Sequence, residues 1–257
     1  MSRMGRVRAI WRRVHDVWVR LGVAALVATP FAAFLMFRTQ GLPPDTWVET
    51  GAISIDDTPR FLQFSALPST RQARVVILPG CPVHASAYAP LARGLAERGM
   101  TAFVMKIPYL CAPLASHQAV LRAAIAQVQT ACPSCAWTIV GHSRGARHAL
   151  EIVGAMPERF ARLVLLGSTH PRERDYSRLA MPVMKAIATN DGVAPLAASE
   201  ANRRLLPLSV RWEVIDGGNH SQFAYYGFQL FDRQATISRA EQHARVIAAI
   251  ASFAADR

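Results

Sequence analysis

Gly141-His142-Ser143-Arg144-Gly145 is the stretch of this sequence that decides the fold. It follows an apolar, strand-like run at 136–140 and precedes a helix-like run at 146–153. A Gly-x-Ser-x-Gly pattern between a strand and a helix predicts a turn so tight that the residues flanking the serine carry almost no side chain. We therefore expect Gly141 and Gly145 to let the two backbones approach closely. Ser143 is then left exposed on the crest of the turn as a candidate nucleophile.

Length and composition indicate a single globular domain with a basic balance. The 257 residues are enough to bury one substantial core, and a hydrophobic content of 51% excludes overall disorder. The formal net charge is +12, but most arginines are scattered over predicted helices and loops, with no basic run interleaved with aromatic residues. We interpret the excess as a solvated arginine-rich surface plus a basic N-terminus, and we expect no nucleic-acid partner.

The first forty residues have the pattern of a membrane segment. Seventeen uncharged residues at 21–37 follow an arginine cluster and precede Arg38. As a helix they span roughly 25 Å, slightly less than a hydrocarbon core of about 30 Å. A cleaved signal peptide and a buried helix of the domain are the alternatives, but the cleavage sites at 28–33 are poor.

We therefore predict that residues 1–40 form a cytoplasmic basic tail and a signal anchor, and that residues 41–257 form the folded domain. Because the arginines precede the apolar segment, the positive-inside rule puts the N-terminus in the cytoplasm. The domain of this single-pass membrane protein is then periplasmic or extracellular.

The cysteine count is consistent with an oxidising compartment. Cys132 and Cys135 are spaced to close a small disulfide loop, whereas the sequence leaves the state of Cys81 and Cys111 open. The Cys-x-x-Cys pair ends a helix and precedes a strand, which is the wrong context for a thioredoxin-like redox motif. Two cysteines are also too few for a zinc site, so we expect no metal.

The rest of the chain alternates strands and helices. Two β-like runs at 46–55 and 61–67 predict a leading antiparallel hairpin. Further strands are predicted at 74–78, 101–107, 136–140, 163–166, 182–188 and 210–215, and helices at 85–98, 116–130, 146–153, 200–206 and 238–254. This alternation predicts an α/β fold, with a mostly parallel sheet covered by helices on both faces.

A serine hydroxyl is a poor nucleophile until a base removes its proton. Of the eight histidines, His142 lies in the Gly-x-Ser-x-Gly turn and His148 in the helix-like run after it, where their side chains cannot turn back onto Ser143. His220 lies in a glycine-rich loop directly after the strand predicted at 210–215. Because polar groups in such sheets gather beyond the carboxyl ends of the strands, we predict His220 to be the base.

The base works best when a carboxylate fixes its tautomer. Asp191 directly follows the strand predicted at 182–188, again at a carboxyl end, although Asn190-Asp191-Gly192 alone reads as an ordinary turn. Asp175 follows the preceding strand and is the rival candidate. The order Ser143, Asp191, His220 on successive strand ends favours Asp191.

With these residues in view, residues 46–257 resemble the α/β-hydrolase superfamily, and within it the compact dienelactone-hydrolase-like branch. The segments that carry the resemblance are Leu78-Pro79-Gly80-Cys81, Gly141 to Gly145, Thr189 to Gly192 and Gly217 to Phe223. The resemblance implies two backbone N–H donors for an oxyanion, which map onto Cys81 and Arg144. Pro82 has no N–H to donate, which supports Cys81.

The resemblance implies a serine hydrolase that cleaves a carboxylic ester or related acyl bond through Ser143, His220 and Asp191, without a cofactor. A non-catalytic scaffold that binds a partner at the membrane, and an acyltransferase using the same residues, remain alternatives. Residues 169–181 leave room for a loop but not for a helical cap domain. An open, shallow site is therefore expected, with Tyr109, Leu110, Tyr225 and Tyr226 as candidate lining residues for a small-molecule substrate.

Overall fold

The computed structural model describes residues 3–68 and 73–255. Eight strands form one sheet, and their bounds are β1 Ile53–Asp57, β2 Phe61–Ala66, β3 Ala73–Leu78, β4 Thr101–Met105, β5 Ala136–His142, β6 Arg162–Leu166, β7 Val183–Ala188 and β8 Arg211–Ile215. The order across the sheet is β1-β2-β4-β3-β5-β6-β7-β8. β1 pairs with β2, and β2 with β4, in the antiparallel sense, and all other neighbours are parallel.

The predicted leading hairpin and the mostly parallel sheet are therefore confirmed. In the centre of the sheet, the register pairs Leu78 at the end of β3 with Gly141 near the end of β5. The turn that follows β3 consequently lies beside the turn that follows β5. β7 is buried along its whole length, as expected for an inner strand of a sheet covered on both faces.

Within the described residues, six helices accompany the sheet: α1 Arg3–Phe37, α2 Ala89–Ala96, α3 Ala115–Gln129, α4 Arg144–Ala155, α5 Leu196–Ala201 and α6 Arg239–Ala255. Two separate apolar clusters fill the two faces of the sheet. One contains Leu91 of α2 and Ile250 of α6, and the other contains Ile125 of α3 and Leu150 of α4. Helices on both faces are therefore confirmed.

Two helix predictions have the wrong bounds. The helix predicted at 85–98 starts with a 3₁₀ turn, Ala85–Tyr88, and becomes α-helical only at Ala89. Pro90 has no N–H for an α-helical bond to residue 86, so the regular helix begins around it. The helix predicted at 200–206 instead begins at Leu196, directly after Pro195, and gives way to a 3₁₀ turn over Arg203–Leu205.

No helix interrupts residues 167–182 between β6 and β7, all of which lie in the described part of the chain. The predicted lack of a helical cap domain is thus confirmed.

The N-terminal helix α1 stands apart from the domain along most of its length. Its Trp11–Phe37 part contains an 18-residue window with a mean hydropathy of 1.8, of which 0% is buried within the protein. The alternative of a helix buried in the domain is therefore excluded. This helix is long and apolar enough to span a membrane, and signal sequences meet the same two criteria.

Candidate active site

Ser143 occupies a strained turn between β5 and α4. Its φ and ψ are 53° and −117°, a backbone conformation that residues with a side chain rarely adopt. A Cβ atom on Gly141 would lie 2.4 Å from the carbonyl oxygen of Gly145, and one on Gly145 would lie 2.2 Å from that of Leu78. Both flanking positions therefore require glycine, because β3, β5 and α4 meet there backbone to backbone.

His220 and Asp191 meet at the carboxyl ends of β8 and β7. Nδ1 of His220 lies 2.8 Å from Oδ2 of Asp191, and both residues are only 1% exposed. The second carboxylate oxygen of Asp191 accepts N–H hydrogen bonds from Val193 and Ala194, at 2.9 and 2.5 Å. Because the carboxylate can only accept, Nδ1 carries the proton and Nε2 of His220 is left as an acceptor.

Ser143 and His220 line the same cavity. Within residues 3–68 and 73–255, Nε2 of His220 is buried and has no hydrogen-bond partner. A base that is oriented at one ring nitrogen and unoccupied at the other is what proton transfer from a serine requires. The structure thus brings together the three side chains that the sequence singled out.

Asp175 lies elsewhere. It is exposed on the loop after β6, and its carboxylate accepts a hydrogen bond from the backbone N–H of Ser177 at 2.8 Å. That hydrogen bond lowers the pKa of Asp175 below its ordinary value. The rival carboxylate therefore caps a local turn.

Cys81 and Arg144, whose backbone N–H groups are the candidate oxyanion donors, border the cavity from the turns after β3 and β5. Within the described residues neither N–H has a hydrogen-bond acceptor. Two unoccupied N–H donors beside a nucleophile are the arrangement that stabilises the oxyanion of an acyl-transfer reaction.

The side chain of Cys81 is bonded to Cys111. This disulfide joins residues 30 apart in the sequence, with the two Cα atoms 4.9 Å apart, and ties the turn after β3 to the 3₁₀ turn Pro108–Leu110. Cys132 and Cys135 form a second disulfide, as their spacing suggested, so all four cysteines are paired. No pattern in the sequence predicted the first pairing.

A buried tyrosine and histidine hold the turn after β3 from behind. The Tyr88 hydroxyl accepts the Gly80 N–H at 2.8 Å and shares a hydrogen bond of 2.6 Å with Nδ1 of His142. The ring of His142 lies 4.7 Å from that of His220. Sequence reasoning missed this pair, because the two residues are 54 apart in the chain.

Sequence reasoning also missed Asp232, a second carboxylate that is only 9% exposed. One of its oxygens accepts N–H bonds from Gly192 and His220, both at 3.2 Å. The other accepts the backbone N–H and the hydroxyl of Ser221, at 2.8 and 2.7 Å. Asp232 thereby joins the loop of Asp191 to the loop of His220.

Two buried histidines make the fold sensitive to acid. Burial, followed by the neighbouring His220 and His243, holds the pKa of His142 well below its ordinary value. Burial, with a smaller effect of Arg239, lowers the pKa of His243 to about 3. Both rings are neutral in the folded protein near neutral pH. In the unfolded chain they take up protons below about pH 6.5.

We expect His243→Phe to make stability less dependent on pH. A depressed folded-state pKa means that stability is lost as pH falls below about 6.5, by about 1.4 kcal/mol per pH unit for each such histidine. The variant lacks one of them, so its urea midpoint should fall less steeply between pH 7 and pH 4. The measurement is denaturation of the full chain in detergent at each pH. Parallel curves for variant and wild type would contradict the prediction.

The cavity beside Ser143 has a volume of about 270 Å³. Among the described residues that line it, two arginines carry a full charge, Arg144 and Arg172, and none is a carboxylate. Nε of Arg172 is held by the Thr169 hydroxyl at 2.6 Å. Burial and then four nearby cations, Arg172 first, lower the pKa of His170 on the cavity wall to about 4. The mouth of the cavity is therefore electropositive.

The expected aromatic lining is wrong. Tyr226 is fully buried, and Tyr225 is 6% exposed with its N–H bonded to the Ala87 carbonyl oxygen. Tyr109 and Leu110 line a different pocket, next to Lys106. A larger cavity of about 650 Å³ shares His170 and Arg172 with the one beside Ser143 and extends it along the arginine-rich surface.

Comparison with known proteins agrees with this architecture. The sequence model of the alpha/beta hydrolase family matches residues 74–244. The chain belongs to this family. No curated protein sequence matches it.

Solved α/β-hydrolase structures share the fold at low sequence identity. A lid-less α/β serine hydrolase from Xanthomonas campestris is 15% identical, with a TM-score of 0.58 over 85% of this chain and 100% of that one. An esterase domain from Rhodothermus marinus is 13% identical, with a TM-score of 0.56 over 76% and 91%. An α/β serine hydrolase homologue from Coxiella burnetii is 14% identical, with a TM-score of 0.55 over 80% and 99%. These likenesses show the α/β-hydrolase fold.

Proposed function

We propose that this α/β-hydrolase cleaves a carboxylic ester or related acyl bond through an acyl-enzyme on Ser143. The observation that carries the proposal is the buried hydrogen bond from His220 to Asp191, in a cavity that also holds the strained Ser143. The two unoccupied amides of Cys81 and Arg144 add further support.

In the proposed mechanism, Oγ of Ser143 attacks the acyl carbon and its proton passes to Nε2 of His220. Asp191 keeps the imidazole in the required tautomer and stabilises the imidazolium that forms. The oxyanion of the tetrahedral intermediate accepts the N–H groups of Cys81 and Arg144. His220 then donates its proton to the departing alcohol, and a water molecule activated by the same histidine releases the acid from Ser143.

We further propose that residues 1–40 act as a signal anchor and that residues 41–257 work on the outer side of the membrane. The exposed apolar face of α1 supports the anchor, and the arginines before it support the orientation. The paired state of all four cysteines suits an oxidising compartment.

Labelling by a fluorophosphonate probe tests both parts. With isolated membranes we expect one modified residue, and peptide mapping should identify it as Ser143. With intact spheroplasts, a membrane-impermeant probe should label the protein equally well. Modification of another residue would refute the proposed nucleophile, and labelling only after lysis would refute the proposed orientation.

The electropositive cavity mouth predicts a preference for acidic esters. We expect Arg172→Ala to lower kcat/KM for an ester bearing a distal carboxylate, such as p-nitrophenyl hemisuccinate, about 3- to 10-fold relative to neutral p-nitrophenyl butyrate. Because Arg172 is exposed, salt should weaken the preference of the wild type. The measurement is the ratio of the two kcat/KM values at low and high salt.

Arg174→Ala is the matched control, because Arg174 lies on the same exposed loop but does not border the 270 Å³ cavity. It should leave the ratio unchanged. An unchanged ratio in Arg172→Ala as well would show that the arginine does not contact the substrate.

A further inference from the structure

Three large apolar side chains are exposed together between the loop of His220 and helix α6. Phe228, Leu230 and Phe231 have exposed fractions of 46%, 60% and 80%. We refer to residues 228–231 as the apolar loop. A cluster of this kind on an otherwise soluble surface marks a place of contact with another apolar body.

The apolar loop and the residues just before it are attached to the end of α1. The Leu230 N–H donates to Sδ of Met36 at 3.4 Å, and a Cβ on Gly227 would lie 2.7 Å from the Met36 carbonyl oxygen. An isolated antiparallel bridge joins Thr39 to Tyr226. The N–H of Gln40 donates to the Tyr225 carbonyl oxygen at 3.0 Å. The loop is therefore fixed at the level where the apolar helix ends.

That level decides what covers the loop. The candidate span ends at Phe37, and its last turns present apolar side chains outward, with Phe34 60% and Leu35 40% exposed. If α1 crosses a bilayer, its last turn lies at the boundary between hydrocarbon and headgroups. Side chains held against Met36 then lie at the same depth, where Leu and Phe are stabilised by burial.

The loop also lies against the residue that follows Asp191. A Cβ on Gly192, the residue after Asp191, would lie 2.1 Å from the Phe231 carbonyl oxygen. The next residue along the chain, Asp232, holds the loops of Asp191 and His220. The sheet edge that carries the cavity is therefore adjacent to the apolar loop.

We propose that the apolar loop inserts into the surface of the bilayer that α1 crosses, and that the hydrolase takes its ester from that surface. The occupant of the loop is the lipid bilayer itself, and the substrate is an amphiphilic acyl compound dissolved in it. The second half of this inference rests on the proposed hydrolysis, whereas the first half rests only on the proposed membrane anchor.

The first test uses the full chain in phosphatidylcholine–phosphatidylglycerol vesicles, with an environment-sensitive NBD label at Leu230→Cys. The matched control is Leu208→Cys, since Leu208 is 102% exposed and precedes β8 at the opposite end of the sheet. The native cysteines are all paired, so the new thiol is the site of labelling. We expect blue-shifted emission at position 230, quenched by lipids that carry a doxyl group near the headgroup, and water-like emission at 208.

Water-like emission at position 230 would overturn the proposal. Blue-shifted emission that doxyl lipids leave unquenched would also overturn it, because a second copy or another protein would then cover the loop. Retained fluorophosphonate labelling in each variant verifies folding. A Phe228→Ser/Leu230→Ser variant that carries no NBD label gives an independent measurement, its turnover.

The second test measures turnover by that double variant. We expect its rate on a long-chain ester embedded in vesicles to fall about tenfold, because two apolar side chains no longer support seating in the membrane. Its rate on dissolved p-nitrophenyl acetate should stay within about twofold of wild type. Leu208→Ser should alter neither rate.

Equal loss on both substrates, or loss on neither, would refute a bilayer source for the ester. Failure of the proposed function has a different signature. In that case the wild type would turn over neither substrate, while the fluorescence at position 230 would still report insertion.

Discussion

Replacing Ser143 by alanine is expected to abolish nearly all turnover of a short p-nitrophenyl ester while the protein stays folded. The change removes the attacking oxygen but leaves the cavity and the His220–Asp191 hydrogen bond in place. In hydrolases of this kind, loss of the nucleophile lowers kcat on the order of 10⁴- to 10⁶-fold. The measurement is steady-state kinetics, with thermal unfolding by circular dichroism as the test of folding.

Ser168→Ala is the matched control, since Ser168 borders the same cavity. It should remain labelled by fluorophosphonate and retain turnover within about tenfold of wild type. Hydrolysis by Ser143→Ala at the wild-type rate would refute the assignment of the nucleophile, whereas a wild-type protein without turnover would favour the non-catalytic scaffold.

Asp191→Asn is expected to lower kcat by about 10⁴-fold, the cost of misorienting the base in comparable serine hydrolases. The asparagine has nearly the same shape, and its oxygen can still accept the amides of Val193 and Ala194. Its NH₂ group then faces Nδ1 of His220, which favours the tautomer with the proton on Nε2. In that tautomer Nε2 cannot accept the Ser143 proton. The measurement is kcat and kcat/KM, with the unfolding transition as a control for folding.

Asp175→Asn is the matched control for charge and chemistry. Its carboxylate is exposed, and an asparagine oxygen can still accept the Ser177 N–H. Activity should therefore change less than about tenfold, the cost of an exposed charge being small. An inactive Asp175→Asn together with an active Asp191→Asn would place the acid on the loop after β6.

Local patterns in the sequence were sufficient to predict the elements that carry the candidate site. The Gly-x-Ser-x-Gly turn is dictated by neighbouring residues, because only glycine fits where β3, β5 and α4 touch. Asp191 and His220 follow directly from their positions after apolar strands. Parallel strands bring such ends together at one edge, so the two side chains meet although they are 29 residues apart.

The supporting residues could not be predicted in this way. Asp232 lies 40 residues from Gly192 and Tyr88 lies 54 residues from His142, and no strand end or periodic pattern marks either of them. The predicted lining of the cavity was wrong for a related reason. Tyr225 and Tyr226 follow His220 closely in sequence, but the chain turns them into the core, where Tyr226 packs against Phe37 at the end of α1.

Cys81 combines a proposed role for its backbone N–H with a covalent bond on its side chain. Where a residue contributes only its backbone N–H to a reaction, the identity of its side chain normally has little effect on that contribution. Here the side chain is bonded to Cys111 and fixes the turn from which that N–H points. Closing a loop of 30 residues stabilises a fold by about 3–4 kcal/mol in the chain-entropy view. If the Cys81 N–H stabilises the oxyanion as proposed, the thiol–disulfide balance of the surroundings acts on it through this bond, although no sulfur atom takes part in the proposed chemistry.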